Sequence, residues 1–255
     1  MVLNMRHPWV FLRGLTRESG HWGDFVQSFE AHVPDSQVIC IDIPGNGSLY
    51  RQKSPLTITG MMNACHEQII DLGVQTPYSL FGMSMGAMLA VSWCSVFADE
   101  VRACVLVNSS MKPFSPFYER LKPLNYLQLL KLGVGPSSDE DWELAILRMT
   151  SANKDESVLP AWLDLRRRHP VSRGNAIRQL WAASRYHAPQ HASCVPTLVL
   201  TSDGDELVAS RCSYAIAQHG QWPLRIHPHA GHDLPMDDGA WVVDQVCRWL
   251  CDDKS

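Results

Sequence analysis

The stretch Tyr78-Ser79-Leu80-Phe81-Gly82-Met83-Ser84-Met85-Gly86-Ala87-Met88-Leu89-Ala90 decides how this chain is read. An apolar run with the character of a buried strand meets Gly-x-Ser-x-Gly and passes at once into a helical pattern. A serine on such a sharp strand-to-helix turn sits at strained backbone angles, so its neighbours two positions away must be small. Gly82 and Gly86 meet that requirement. The helix opening at Met85 also aims backbone N–H groups and its positive dipole end at the turn. Ser84 is therefore the expected nucleophile, and the alternative is a glycine-flanked turn without chemistry.

Outward from this turn, short apolar runs alternate with longer helical patterns, as in a parallel α/β sheet covered by helices on both faces. Strands are expected at Trp9–Leu12, Val38–Asp42, Tyr78–Phe81, Ala103–Val107, Thr197–Thr201 and Leu224–His227. Helices are expected near Trp22–His32, Ile58–Leu72, Met85–Phe97, Glu206–His219 and Ala240–Cys251. The alternation fails between about Met111 and Pro189, a long helical stretch broken by six prolines from Pro113 to Pro170. Both its ends return to the same sheet, so it is expected to be a helical lid (residues 111–189) inserted between the fourth and fifth strands, with residues 1–110 and 190–255 as the core.

A serine needs a base. His232, in Pro228-His229-Ala230-Gly231-His232-Asp233-Leu234-Pro235, follows the last expected strand and precedes the last helix, from where it can reach across the carboxyl ends of the strands. His227 and His229 are its local competitors, read as structural or substrate-facing. A carboxylate should fix the imidazole tautomer. Asp205, followed by an apolar pair expected to open a helix, is preferred over Asp203, which suits the turn with Gly204. For the oxyanion, Met85 N–H supplies one donor and Leu15 N–H, in Phe11-Leu12-Arg13-Gly14-Leu15-Thr16, the other.

These segments resemble the α/β-hydrolase superfamily, and Asp42-Ile43-Pro44-Gly45-Asn46-Gly47-Ser48 resembles its Asp-x-Pro-Gly-x-Gly-x-Ser turn. The resemblance covers about residues 8–110 and 190–252. In size and layout the chain is similar to small carboxylesterases that demethylate pimeloyl-acyl-carrier-protein methyl ester. The resemblance implies a serine esterase with the chain order Ser84, Asp205, His232. Two departures stand out: Arg13-Gly14 replaces the usual His-Gly, and the usual first two strands are missing.

Arg13 is a candidate to hold a substrate carboxylate or phosphate, or else it braces the loop by hydrogen-bonding backbone carbonyls. Met83, Phe114 and Trp142 are candidate pocket residues, and the lid side chains Leu124, Leu127 and Leu130 either roof an acyl pocket or simply pack. Between Lys112 and Gln190 there are 12 Lys and Arg against 8 Asp and Glu, a balance of +4, so the remainder carries −8 of the net −4. The run Arg166-Arg167-Arg168-His169, with Arg173, Arg178 and Arg185, is either a surface steering an acidic carrier protein or coenzyme A thioester, or a solvated helical face.

Composition sets outer limits. With 255 residues and 45% hydrophobic content, the chain can bury a core without disulfides or metals. A net charge of −4 argues against a nucleic-acid partner. The eight cysteines form no CxxC pair and are expected as buried free thiols, which with the lack of a signal-peptide pattern in Met1–Pro8 suggests a cytoplasmic location. No run approaches the roughly 20 apolar residues of a membrane span, so no membrane partner is expected. The chemistry needs no cofactor or metal. The expected reaction is cleavage of a carboxylic ester or thioester through an acyl-enzyme. Carbon–carbon bond hydrolysis and acyl transfer use the same residues, and a non-catalytic ligand-binding protein of the same fold is the alternative of another class.

Overall fold

The computed structural model describes residues 7–134 and 138–252. Six strands, β1 (His7–Leu12), β2 (Ser36–Ile41), β3 (Tyr78–Met83), β4 (Val101–Val107), β5 (Thr197–Ser202) and β6 (Leu224–His227), form one sheet in the order β2-β1-β3-β4-β5-β6. All of its pairings are parallel. Strand order reverses between β1 and β3, and in such sheets the carboxyl ends of the strands at this switch point open a crevice for ligands.

The continuous apolar runs have a simple reason. Alternate side chains of one strand enter two different cores. Val10 and Leu12 of β1 face one layer, with Leu80, Cys104 and Val199. Trp9 and Phe11 face the other, with Phe81, Val105 and Leu200. Helices α2 (Ile58–Asp71), α3 (Met85–Val96) and α9 (Arg211–Gly220) cover the first face, while α1 (Phe25–His32) and α10 (Gly239–Asp252) cover the second. The second core is aromatic: the Phe11 ring stacks on Phe81 at 4.7 Å and meets Trp22 edge-on at 5.0 Å.

Between β4 and β5 the chain inserts five helices: α4 (Phe117–Arg120), α5 (Tyr126–Val134), α6 (Asp139–Thr150), α7 (Leu159–Arg168) and α8 (Arg173–Arg185). The prolines sit where a missing N–H costs least: Pro116 precedes α4 and Pro160 lies in the first turn of α7. Ser138 and Ser172 cap α6 and α8 by accepting from Asp141 and Asn175 N–H at 3.1 Å each.

Two expected boundaries are corrected. The helix expected from Glu206 begins at Arg211. Asp205 Oδ1 accepts from Leu207 and Val208 N–H at 2.8 and 2.9 Å, and this turn holds the chain out of helical register. The helix expected from Trp22 begins at Phe25, because Ser19–Trp22 form a separate tight turn that drives the Trp22 ring into the core. The cysteines are all free but not uniformly buried: Cys65, Cys94, Cys104 and Cys212 are interior, whereas Cys194 and Cys251 are exposed.

Candidate active site

Ser84 stands between β3 and α3 at φ 56° and ψ −116°, in a region L-residues avoid. Such a conformation costs on the order of 1–3 kcal/mol and persists only where its surroundings enforce it. They do so here. Ser84 N–H donates to Val107 O at 2.8 Å, and Ser109 Oγ donates to Ser84 O at 2.9 Å. A Cβ at Gly82 would stand 2.6 Å from Gly86 O, and one at Gly86 would stand 2.7 Å from Arg13 O. The two glycines therefore let α3 dock onto the ends of β1 and β3, which turns the Ser84 side chain outward.

His232 and Asp205 meet from the loops after β6 and β5. Asp205 Oδ2 accepts from His232 Nδ1 at 2.7 Å, and both residues are 3% exposed or less. Oδ1 of the same carboxylate is held by Leu207 and Val208 N–H. The pair is thus fixed at both ends, and with Nδ1 donating, the His232 Nε2 lone pair is free to accept a proton. Ser84 Oγ makes no hydrogen bond among the described residues; unliganded sites often hold this contact open. Asp203 does not join the pair, since it accepts from Tyr214 Oη at 2.9 Å. His227 is tied to Asp238 and to Ala230 N–H, a structural role. The His229 N–H donates to His227 Nδ1 at 3.1 Å.

The residue that gathers these loops was not legible in the sequence. Asn108, just past β4, is 1% exposed at φ 45°. Its Oδ1 accepts from Ser202 N–H at 3.0 Å and Thr201 Oγ1 at 3.2 Å, while its Nδ2 donates to His232 O at 2.8 Å and Gly231 O at 3.2 Å. One side chain thereby ties the ends of β4 and β5 to the histidine loop. An Asn at the end of an apolar strand was the only available signal.

The loop after β1 abuts Ser84: a Cβ at Gly14 would stand 3.1 Å from Ser84 Cβ. Neither the Leu15 nor the Met85 N–H has an acceptor among the described hydrogen bonds. Thr16, next along at φ 58°, donates its N–H to Gln179 Oε1 of α8 at 2.9 Å. Gln179 is fully buried and also donates to Asn46 Oδ1 at 2.7 Å. Asp42, the acid of the Asp-x-Pro-Gly turn, accepts from Ser19 and Ser48 N–H at 2.8 and 2.9 Å.

Arg13 does not face an open pocket. It is 3% exposed, its Nη1 and Nη2 donate to Asp233 Oδ1 and Oδ2 at 3.2 and 2.5 Å, and its guanidinium lies 4.5 Å from the Trp22 ring centre. This placement corrects the substrate-holding assignment: Arg13 is a brace, but it bonds the carboxylate of the residue after His232 where backbone carbonyls were expected. Met83 is likewise interior, its Sδ accepting from Arg13 Nη1 at 3.3 Å.

A second buried ion pair joins the same loop to the lid. Arg17 Nη1 donates to Glu143 Oε2 at 2.5 Å, and its guanidinium lies over Trp162 at 4.1 Å. Burial lowers the Arg17 pKa and Glu143 opposes that fall. Burial, with Arg17 and Arg13 as neighbours, pushes the His21 pKa well below the usual histidine value. Three members of the cationic run after Leu165 have carboxylate partners: Arg166 bonds Asp139 at 2.6 Å, Arg168 bonds Asp164 at 2.7 Å, and His169 bonds Glu18 at 2.7 Å. Trp142 packs against Arg166 at 5.3 Å. The Phe114 ring lies tilted against His219 at 4.5 Å, in a crevice between α3 and α9 lined also by Cys94, Cys104 and Trp222. Neither lid aromatic is brought to Ser84 by these contacts.

A family described as the alpha/beta hydrolase family matches residues 9–245. The chain belongs to this family. Solved structures similar to it include a candidate lipase from Acinetobacter baumannii, with a TM-score of 0.79, 19% identity and coverage of 97% of this chain and 84% of that one. A candidate non-heme bromoperoxidase from Mycobacterium tuberculosis gives 0.77 at 19% identity, covering 96% and 92%. An esterase from Thermogutta terrifontis gives 0.72 at 19% identity, covering 96% and 90%. At these identities the likeness concerns the fold. A homoserine O-acetyltransferase from Methanocorpusculum labreanum is 35% identical over 68 residues, a match spanning 26% of this chain and 14% of that protein.

Proposed function

We propose that this protein is a serine hydrolase that cleaves a carboxylic ester or thioester. The observations that support the proposal are a strained Ser84 at the carboxyl end of β3 and a buried His232–Asp205 couple on the loops after β6 and β5, at the same end of the sheet. Ser84 Oγ attacks the carbonyl carbon as His232 Nε2 takes its proton. Charge forming on the carbonyl oxygen is met by the Met85 and Leu15 N–H groups, fixed donors that need no reorganisation as the charge develops. His232 then hands the proton to the departing alcohol or thiol, leaving an acyl group on Ser84. Next, it takes a proton from water, whose oxygen attacks the acyl carbon, and returns that proton to Ser84 as the acid leaves. Asp205 stays ionised throughout and stabilises the imidazolium between the steps.

The short match to an acetyltransferase supports a second reading, in which a hydroxyl acceptor replaces water in the last step. The test is hydrolysis of p-nitrophenyl esters of increasing acyl length, with fluorophosphonate labelling of wild type and Ser84→Ala. Labelling and turnover are expected in wild type only, with kcat lower by about 10⁴-fold or more in the variant. A folded wild type that neither labels nor turns over would overturn the proposal and leave a ligand-binding protein. Turnover that rises with added alcohol, yielding a new ester, would favour the transferase.

A further inference from the structure

The lid does not use its most apolar side chains to roof a pocket. Leu124, Leu127 and Leu130 are 90%, 71% and 61% exposed, and on α8 Ile177, Leu180 and Trp181 are 67%, 48% and 52% exposed. The α8 residues follow helical spacing on the side opposite Gln179, so the helix is buried on one face and greasy on the other. The two stretches are joined: Arg120 Nη2 and Nη1 donate to Ala183 O and Ser184 O at 2.6 and 3.1 Å. Each also grips part of the candidate site from behind. Lys122 Nζ donates to Asp205 O at 2.5 Å and Asn125 Nδ2 to Glu206 O at 2.9 Å, while Gln179 holds Thr16. The segments that carry the exposed apolar side chains are thus anchored to the loops of the candidate site.

Charge separates this surface from the rest of the molecule. Residues 112–131 and 171–190 contain seven Lys and Arg against Glu119 alone, a balance of +6, whereas the remaining residues carry −10. Residues 132–170, where the arginine run is internally paired, carry −2. Of these seven cations Lys131, Arg173 and Arg185 are exposed, whereas Arg120, Lys122 and Arg178 donate to backbone carbonyls. Lys131 and Arg185 are exposed within the patch, Arg185 over the Trp181 ring at 5.1 Å.

We infer that this face of the lid docks on an anionic lipid surface. Exposed Leu and Trp with Lys and Arg at their margin is the composition by which a helix lies in a membrane interface, the apolar side chains entering the acyl boundary and the cations pairing with headgroups. A second copy fits poorly, because a two-fold contact sets the exposed Lys131 and Arg185 against the same cations of its mate. An acidic protein would match the charge but leave side chains such as Leu124 without an apolar counterpart at a polar rim. Among the described residues no helix is long and apolar enough to cross a membrane, so the contact is peripheral. The docking stands on the surface alone; that it delivers an ester to Ser84 rests on the proposed function.

Sedimentation of the full chain with phosphatidylcholine vesicles, with and without phosphatidylglycerol, tests it. Each exposed cation near an anionic surface strengthens binding roughly fivefold, so preference for the anionic vesicles should exceed about tenfold. Leu124→Ser/Leu127→Ser and Lys131→Glu/Arg185→Glu should each weaken binding about tenfold or more, with unchanged thermal midpoint and unchanged turnover of soluble p-nitrophenyl acetate. This pattern in a wild type without esterase activity would keep the docking and discard the hydrolase. No preference for anionic vesicles, or variants that bind as wild type does, overturns the inference. So does a concentration-dependent dimer lost in the leucine variant, or binding of purified acyl-carrier protein in place of vesicles.

Discussion

Arg13→Met is the perturbation that most directly questions how the site is held. The guanidinium forms two hydrogen bonds with the Asp233 carboxylate, and both side chains are 3% exposed. Solvent screens such a pair little, and removing one partner strands a buried charge at a cost of about 3–5 kcal/mol. Loss of the cation over Trp22 adds up to about 1 kcal/mol. For a domain of this size each kcal/mol lowers the melting midpoint by about 2–4 °C, so a fall of about 10 °C or more is expected. Asp233 follows His232 directly, so a loosened loop should also reduce kcat on p-nitrophenyl esters by about tenfold or more. The double variant Arg13→Met/Asp233→Leu removes both charges and should recover most of the lost stability. Urea unfolding of wild type, both single variants and the double variant measures the coupling. A single-variant loss below about 1 kcal/mol, or a double variant no more stable than Arg13→Met, would refute the account of Arg13 as a brace.

Three further outcomes are expected. Asn108→Ala removes all four side-chain hydrogen bonds that gather β4, β5 and the histidine loop, leaving buried groups unpaired; a loss of about 2–4 kcal/mol in urea unfolding should accompany a fall in kcat. Gln179→Leu frees Thr16 and with it the Leu15 donor, so steady-state kinetics should show kcat falling with KM little changed, as for an interaction made in the transition state. His7 is lowered to about 4 by burial and by Arg102, and His21 well below 6.5 by burial and its arginine neighbours. The unfolded chain then binds protons that the folded chain refuses, so stability present above pH 6.5 is lost as pH falls towards about 4. His7→Gln should flatten that slope in urea midpoints taken across this range, and an unchanged slope would count against it.

How much of this was legible beforehand follows from the range of each interaction. The elbow was legible because strain at one serine dictates the glycines two residues to either side, and Gly82 and Gly86 stand where close backbone approach demands them. The strands were legible because side chains of one strand enter two cores, which leaves no polar gap in the run. Placing His232 and Asp205 after the last two strands needed only their order along the chain. The helix after Asp205 was misplaced because the same carboxylate that suits a triad also caps a turn against helix formation. Arg13 was ambiguous for a related reason: its partner Asp233 lies 220 residues away.

By itself, then, the sequence determined the parallel sheet, the strained serine and the loops that carry His232 and Asp205, since these rest on local geometry and on short-range alternation of apolar residues. Only the tertiary structure decided which charges are braces and which face solvent. Arg13, Arg17 and Arg166 found carboxylates on distant segments, whereas Lys131 and Arg185 were left at the surface among exposed leucines and Trp181. A charge is silent about its partner until folding brings the partner within a few ångströms, because electrostatic pairing depends on distance in space and not on separation along the chain.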